Sequence, residues 1–412
     1  MPGTRSRSRS AAPPAALAPP PRERWVLPPR AHDALPDLER ARLLDLTRDV
    51  LRRPTAPYAE DLQVRGLLEF AAERPGIEAR LDRHGNALLE WRGRGTRAPL
   101  LAYSAHLDHP GVEYLGRRGG VLLGRLHGGV RPDVLPGAPL RFFALEDGTA
   151  IATARVRAAR RVGGGTELEL VELSGKLARG TPGMWDLGAG ALRGTRLHAR
   201  VCDDLLGAVS ILHVLDRLWR ARSPVRLLGV FTRAEETGFI GCLGLLEARS
   251  LPADTHVIGL ECSPLRATAR PGRGPVVRVG DAASVFDPEL SQRLHAQAAR
   301  LRAEVRGFGF QRALMDGGRC ESTAFNARGV RAGAACLALG NYHNGSPRGR
   351  LAPEWVEWAD HEGLAALLYE FALSWNAGAD SAQSAALTAL WRGGRAQLAQ
   401  SARRIRAATA RA

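Results

Sequence analysis

LLGAVSILHVLDRLWRARSPVRLLGVF, residues 205–231, holds the junction that decides the fold. Its first half, 205–219, spaces apolar residues as a helix does, and its second, VRLLGVF (225–231), is a short apolar run of the strand type. The alternation continues downstream. GFIGCLGLLEA (238–248) reads as a helix, THVIGLE (255–261) and PVVRVGD (275–281) as strands, and PELSQRLHAQAARL (288–301) as a helix. RAGAACLAL (331–339) is a further buried strand, and PEWVEWADHEGLAALLYEFALSW (353–375) reads as one long closing helix that begins with a Pro. Strands alternating with helices predict an α/β fold, a mixed sheet covered by helices.

Upstream, DLERARLLDLTRDVLRR (37–53) and PYAEDLQVRGLLEFAAER (57–74) are amphipathic helices broken at Pro54-Thr55. A hairpin is expected around His84-Gly85-Asn86, and APLLAYSA (98–105) is a buried strand. Between about 115 and 198 the character changes. Gly-rich turns separate VLLGRL, LRFFAL, TAIATARV and TELELVEL, the pattern of an inserted β-rich, barrel-like domain. The expected division is a catalytic domain from 31–114 plus 199–379, the insertion at 115–198, and tails at 1–30 and 380–412. The N-terminal tail is expected to be disordered. The Ala/Arg-rich C-terminal one could extend a helix without packing.

The formal charge of +16 invites a polyanion partner, but Lys176 is the only lysine, and the Arg excess accompanies abundant Ala and Gly. Residues 1–30 carry six Arg against one Glu and residues 380–412 six Arg against one Asp, so ten of the sixteen charges sit in the two ends. Solvated termini account for this, and nucleic acid is not an expected partner. No run approaches eighteen apolar residues, so no membrane helix is expected. Pro residues interrupt the N-terminal segment where a signal peptide would be apolar. Five Cys without a CxxC pair suggest reduced thiols, and a cytoplasmic location is expected. The glycine triplet 163–165 follows no strand-to-helix signature and is not read as a phosphate loop.

Five clusters sit at predicted strand ends, where open α/β sheets place their sites. They are SAHLDHPG with His106 and Asp108, VCDDLLG with Asp203 and Asp204, FTRAEETG with Glu235 and Glu236, IGLECSP with Glu261, and LGNYHNGSP with His343. Each alone is ordinary. Together they place two His and several carboxylates after buried strands, which is costly unless the carboxylates are paired or bound to cations. The set suits zinc or a similar divalent ion. The adjacent Glu235 and Glu236 are expected to point to opposite sides of an extended backbone, one binding metal and one acting on water. His109 is a further group within reach of such a site, whereas His213 reads as packing.

The order HxD, DDxxG, EExG, acidic strand end and late His resembles the dinuclear zinc aminopeptidases that assemble as tetrahedral particles, within the wider zinc amino- and carboxypeptidase superfamily. The resemblance runs from about residue 37 to 377. It implies two divalent metal ions per chain, zinc with cobalt or manganese as alternatives. His106 and Glu261 would bind one, Glu236 and His343 the other, and Asp203 would bridge both. Asp108 would orient His106, Glu235 would be the general base, and the peptide bond after Asp203 would be cis. Departures are Glu261 where the tetrahedral enzymes usually have Asp, GGRCEST at 317–323 in place of GGTDA, and His109-Pro110 after Asp108.

The function implied is a metal-dependent aminopeptidase that hydrolyses N-terminal residues from short peptides through a metal-activated water. A peptide substrate and a homo-oligomer would be its partners. A carboxypeptidase or N-acyl amide hydrolase of the same superfamily is the alternative, and an inactive scaffold or basic polyanion-binding protein a second. Arg319, Arg331, Arg348 and Arg350, near the late motifs, are candidates to pair with a substrate carboxylate.

Overall fold

The computed structural model describes residues 25–93, 99–375 and 382–409. Most of the expected N-terminal tail, 1–24, lies outside them, as do 376–381 and 410–412. Two helices, α1 (Asp37–Arg52) and α2 (Asp61–Ala72), lead into a hairpin of β1 (Ile77–Leu81) and β2 (Ala87–Trp91), and then β3 (Leu100–His106). Six strands follow: β4 (Gly111–Arg118), β5 (Val121–His127), β6 (Pro139–Phe143), β7 (Ala150–Val162), β8 (Gly165–Gly175) and β9 (Pro182–Trp185). A short hairpin of β10 (Gly190–Arg193) and β11 (Arg196–Ala199) precedes α3 (Leu205–Arg220), β12 (Leu227–Thr232), α4 (Ile240–Glu247) and β13 (Thr255–Pro264). Then come β14 (Val276–Asp281), α5 (Pro288–Glu304), β15 (Gln311–Met315), α6 (Glu321–Ala327), β16 (Ala332–Leu339), β17 (Glu354–Glu357), α7 (Trp358–Ser374) and α8 (Ala382–Thr409).

The fold is α/β, built on an eight-stranded mixed sheet ordered β1-β2-β12-β3-β13-β16-β14-β15. Its centre is parallel: β3 pairs with β12 and β13, and β13 with β16. Alternate residues of β3 serve two cores. Leu101, Tyr103 and Ala105 face the cluster of α1, α3 and α7, while Leu100 and Ala102 face α4 and α6. Burial on both faces explains why these strands read as continuous apolar runs. The four parallel strands also end along one edge, so the segments after them converge.

Strands β4-β5-β8-β7-β6-β9 close into a barrel. Its strands begin at Gly111 and end at Trp185, inside the 115–198 expectation at one end and beyond it at the other. The remaining pair, β10 and β11, joins β17 in a separate three-stranded sheet. At the tip of β7–β8, Val162 pairs with Gly165, so Gly163 and Gly164, at φ 53° and 85°, form a two-residue hairpin turn.

Two expectations change. The closing helix starts at Trp358, not at the Pro. Glu354, Trp355, Val356 and Glu357 are extended and pair with β11, because Glu354 and Val356 alternate inward as a strand requires. Within the expected tail 1–30, the described residues Trp25 and Leu27 pack against the main core. The five Cys are buried and free. Among the described residues no helix is long and apolar enough to cross a membrane.

Candidate metal centre

The strand ends carry the sequence candidates to one place. His106 is the last residue of β3, and Glu261 lies on β13, in register with Cys336 of β16. Asp203 precedes α3 and is joined to Asp204 by a cis peptide bond. Glu235 and Glu236 follow β12, and His343 follows β16. The donor atoms of His106, Asp203 and Glu261 lie within 4.8 Å of one another, as do those of Asp203, Glu236 and His343. A third grouping, His106 with Glu235 and Glu236, overlaps both.

Hydrogen bonds aim these donors. His106 Nδ1 donates to the Asp108 carbonyl at 3.1 Å and lies 3.5 Å from Asp108 Oδ1, leaving Nε2 to face the cluster. His343 Nδ1 donates to the carbonyl of Gly129, in the segment after β5, again leaving Nε2 inward. Fixing one ring nitrogen in this way sets the tautomer a metal ligand needs. Glu236 Oε1 lies 3.1 Å from His343 Nε2 without an aligned hydrogen bond, the relation of two groups that address a common ligand.

The two glutamates do not alternate on an extended backbone. They occupy a single 3-10 turn, Glu235–Thr237, entered through Ala234 at φ 48°. The carboxylate of Asp108 holds this turn, Oδ1 accepting from the Glu235 amide at 2.9 Å and Oδ2 from the Glu236 amide at 3.1 Å. The tight turn therefore separates the side chains. Glu235 Oε2 comes 3.9 Å from His106 Nε2, and Glu236 turns toward His343. Asp108 thus acts chiefly through two backbone amides.

The electrostatics of this cluster would favour cations. Asp203, Glu235, Glu236 and Glu261 converge with only two imidazoles. Burial, together with neighbouring carboxylates, pushes Glu235 and Glu261 well above the usual carboxylate range. Burial also works against Asp203, but the nearby His106 and His343 imidazoles outweigh it and hold that carboxyl below its ordinary value. Both imidazoles are raised by the surrounding carboxylates against the opposing effect of burial. Carboxylates and imidazoles in these proportions fit divalent cations, whose charge would offset the repulsion.

Three residues absent from the sequence candidates support the site. Glu354 is fully buried; Oε2 accepts from the Cys202 and Asp203 amides at 2.7 and 3.1 Å, and Oε1 from the His343 amide at 2.9 Å. Burial, with Asp203 nearby, pushes it up to about 8. Glu60 accepts from the Ala234 amide and from Arg233 Nε, bracing the glutamate turn. Asn344 Oδ1 lies 2.9 Å from His109 Nε2. The only available signal for Glu354 was the alternation of Glu-Trp-Val-Glu. His109 itself contacts the Asp203 carbonyl and Asn344, so its ring nitrogens are engaged in scaffolding. Of the arginine candidates, Arg331 is committed to Asp287 and Glu289 at 2.8 Å each. His213 is buried in α3 beside Glu39, as packing predicts.

The M42 glutamyl aminopeptidase family model matches residues 173–351, the stretch that holds Asp203, Glu235, Glu236, Glu261 and His343. Solved structures share the fold. A peptidase of Pyrococcus horikoshii, TET1, is 16% identical with a TM-score of 0.65, over 80% of this chain and 99% of that one. An aminopeptidase from the archaeon Desulfurococcus kamchatkensis is 20% identical with a TM-score of 0.67, over 82% and 97%. Yeast aminopeptidase 1 is 13% identical with a TM-score of 0.59, over 82% and 98%. No curated protein matches the chain at a significant level. Residues 173–351 thus match the M42 glutamyl aminopeptidase family model, and the fold is shared with these peptidases along about four fifths of the chain.

Proposed function

We propose that this protein is a metal-dependent aminopeptidase that binds two divalent cations, zinc being the best fit to a His and carboxylate donor set. The observation that carries the reading is the pair of three-residue donor groups sharing Asp203. When bound, two such cations supply Lewis acidity that polarises a scissile carbonyl and acidifies water.

The remaining chemistry belongs to the chain. Glu235 is the general base: an Oε takes a proton from the attacking water and later returns it to the leaving amine. Its burial supports this role, because a carboxyl raised above its usual range holds a proton more readily. Asp108 keeps Glu235 in place through its amide, and Glu354 ties the Asp203 and His343 segments together.

Short peptides are the proposed substrates. A homo-oligomer is proposed as well, since the similar Pyrococcus horikoshii peptidase can assemble into a tetrahedron or a large octahedral shell. The deciding experiment is a peptide-library digest with added zinc, cobalt or manganese, read by mass spectrometry. Loss of N-terminal residues is expected. Loss of C-terminal residues or of acyl groups would instead assign the carboxypeptidase or N-acyl hydrolase reading that Glu261 keeps open.

A further inference from the structure

Away from the metal centre, a cavity of 300 Å³ opens between the barrel and the β10–β11 hairpin. Its walls carry Arg141, Arg193 and Arg200 beside one carboxylate, Asp186. Arg141 comes from β6 and Trp185 ends β9, while Arg193 ends β10 and Arg200 follows β11. Two of the lining side chains are deeply buried, Arg200 at 3% exposure and Trp185 at 0%.

The buried donors are under-used. Among the described residues, no acceptor meets Trp185 Nε1, Arg141 Nε or Arg200 Nε. Arg200 spends one Nη on the Arg53 carbonyl at 3.1 Å, and Arg141 one Nη on Asp186 at 2.6 Å. A buried guanidinium without a carboxylate of its own is costly, and so is an unpaired indole N–H. Burial, together with Arg141, pushes Arg200 down to about 10, the mark of a cation short of counter-charge. Three orphan N–H groups on side chains that line one cavity, together with the positive charge of Arg141 and Arg200, call for a ligand with several acceptor oxygens and negative charge.

We propose that this cavity binds a phosphate group, held by Arg141, Arg200 and the Trp185 indole N–H, either as the free ion or as a small phosphate ester. A tetrahedral oxyanion offers separate oxygens to donors arriving from β6, β9 and the segment after β11, which a planar carboxylate does less well. The volume is at the low end for small-molecule sites, so a compact ester fits and a nucleotide-sized ligand does not. The site is also joined to the metal centre. Asn344, next to His343, donates from Nδ2 to the Arg200 carbonyl at 2.9 Å, and Asp203 lies three residues beyond Arg200. Occupancy would therefore brace the chain just before the shared ligand.

The test is calorimetric titration of metal-loaded protein with inorganic phosphate, and separately with phenyl phosphate, at constant ionic strength. Phosphate also meets divalent cations, so variants locate the binding. Trp185→Phe removes one N–H and keeps the ring, and Arg141→Gln removes one charge. Arg306→Gln, at an exposed pair with Asp33, is the control. Saturable binding that weakens about 10-fold or more in the first two variants and not in the control is expected, the usual loss for a hydrogen bond to a charged group. Tighter binding of phenyl phosphate than of phosphate would identify an ester, and equal binding the free ion. If Trp185→Phe does not fold, Arg141→Gln carries the comparison alone, since Arg141 is only partly buried. No saturable binding, or binding indifferent to these variants, would overturn the proposal.

Discussion

Asp203 turns Oδ1 toward His106 Nε2 and Oδ2 toward His343 Nε2, at 3.7 Å in each case. One carboxylate thus belongs to both groups, while Glu261 belongs to the first alone, and Glu236 to the second and to the grouping with His106 and Glu235. Metal content should follow this division. Wild-type protein reconstituted with zinc should hold about two ions per chain. Glu236→Gln and Glu261→Gln should each lose about one, and Asp203→Asn should lose most of both. Elemental analysis after dialysis reads the outcome, and an Asp203→Asn variant that kept two ions would refute the shared-ligand arrangement.

Glu235 and Glu236 have the same chemistry in neighbouring positions, yet their side chains reach different imidazoles. Glu235→Gln preserves size and hydrogen bonding but cannot accept a proton. Its metal content should remain near that of wild type while kcat falls by at least about 10²-fold. KM should change little, because the loss belongs to the transition state. Steady-state kinetics beside metal analysis on both variants would expose a reversed assignment: Glu235→Gln would then lose metal and Glu236→Gln would keep it.

Asp108 accepts two amides from within the protein interior. Asp108→Asn places an NH₂ group opposite one of those N–H donors. The expected cost is about 1–3 kcal/mol of stability, the range for a buried donor left unpaired. The turn should loosen too, so kcat should drop even when the metal is retained. A thermal melt unchanged from wild type, with full activity, would show that Asp108 does not hold the turn.

The pH dependence of folding has a source remote from the metal centre. His361 in α7 is fully buried, and burial, with His213 beside it, pushes its imidazole down to about 3. It is neutral when folded and binds a proton near its ordinary 6.5 when unfolded. Between those values the unfolded state holds more protons, so stability falls as pH drops from about 6.5 toward 3, by up to about 1.4 kcal/mol per pH unit. Chemical denaturation of metal-free protein across this window should show a shallower slope in His361→Leu than in wild type. Parallel slopes would assign the acid sensitivity to other groups.

The sequence alone carried the class of the fold, because helical and strand periodicities are local. Burial of a strand on both faces shows as a continuous run, and LLAYSAH, LLGVFT and AGAACLAL each have it. The candidate ligands were legible for a related reason: a polar residue directly after such a run is costly to bury without a partner. Contacts between distant segments were not legible. Glu354 looked like the first turn of a helix because Pro353 and the apolar residues after it suit one. Only pairing with β11, about 155 residues earlier in the chain by the Ala199–Glu354 register, makes it a strand and turns its carboxylate toward Asp203 and His343. The placing of Glu235 and Glu236 likewise depended on Asp108, whose carboxylate reaches their amides across the gap between β3 and β12. Periodicity records which face of an element is buried. Which partner meets that face, and which oxygen meets which donor, is settled by long-range packing, and that exists only once the chain has folded.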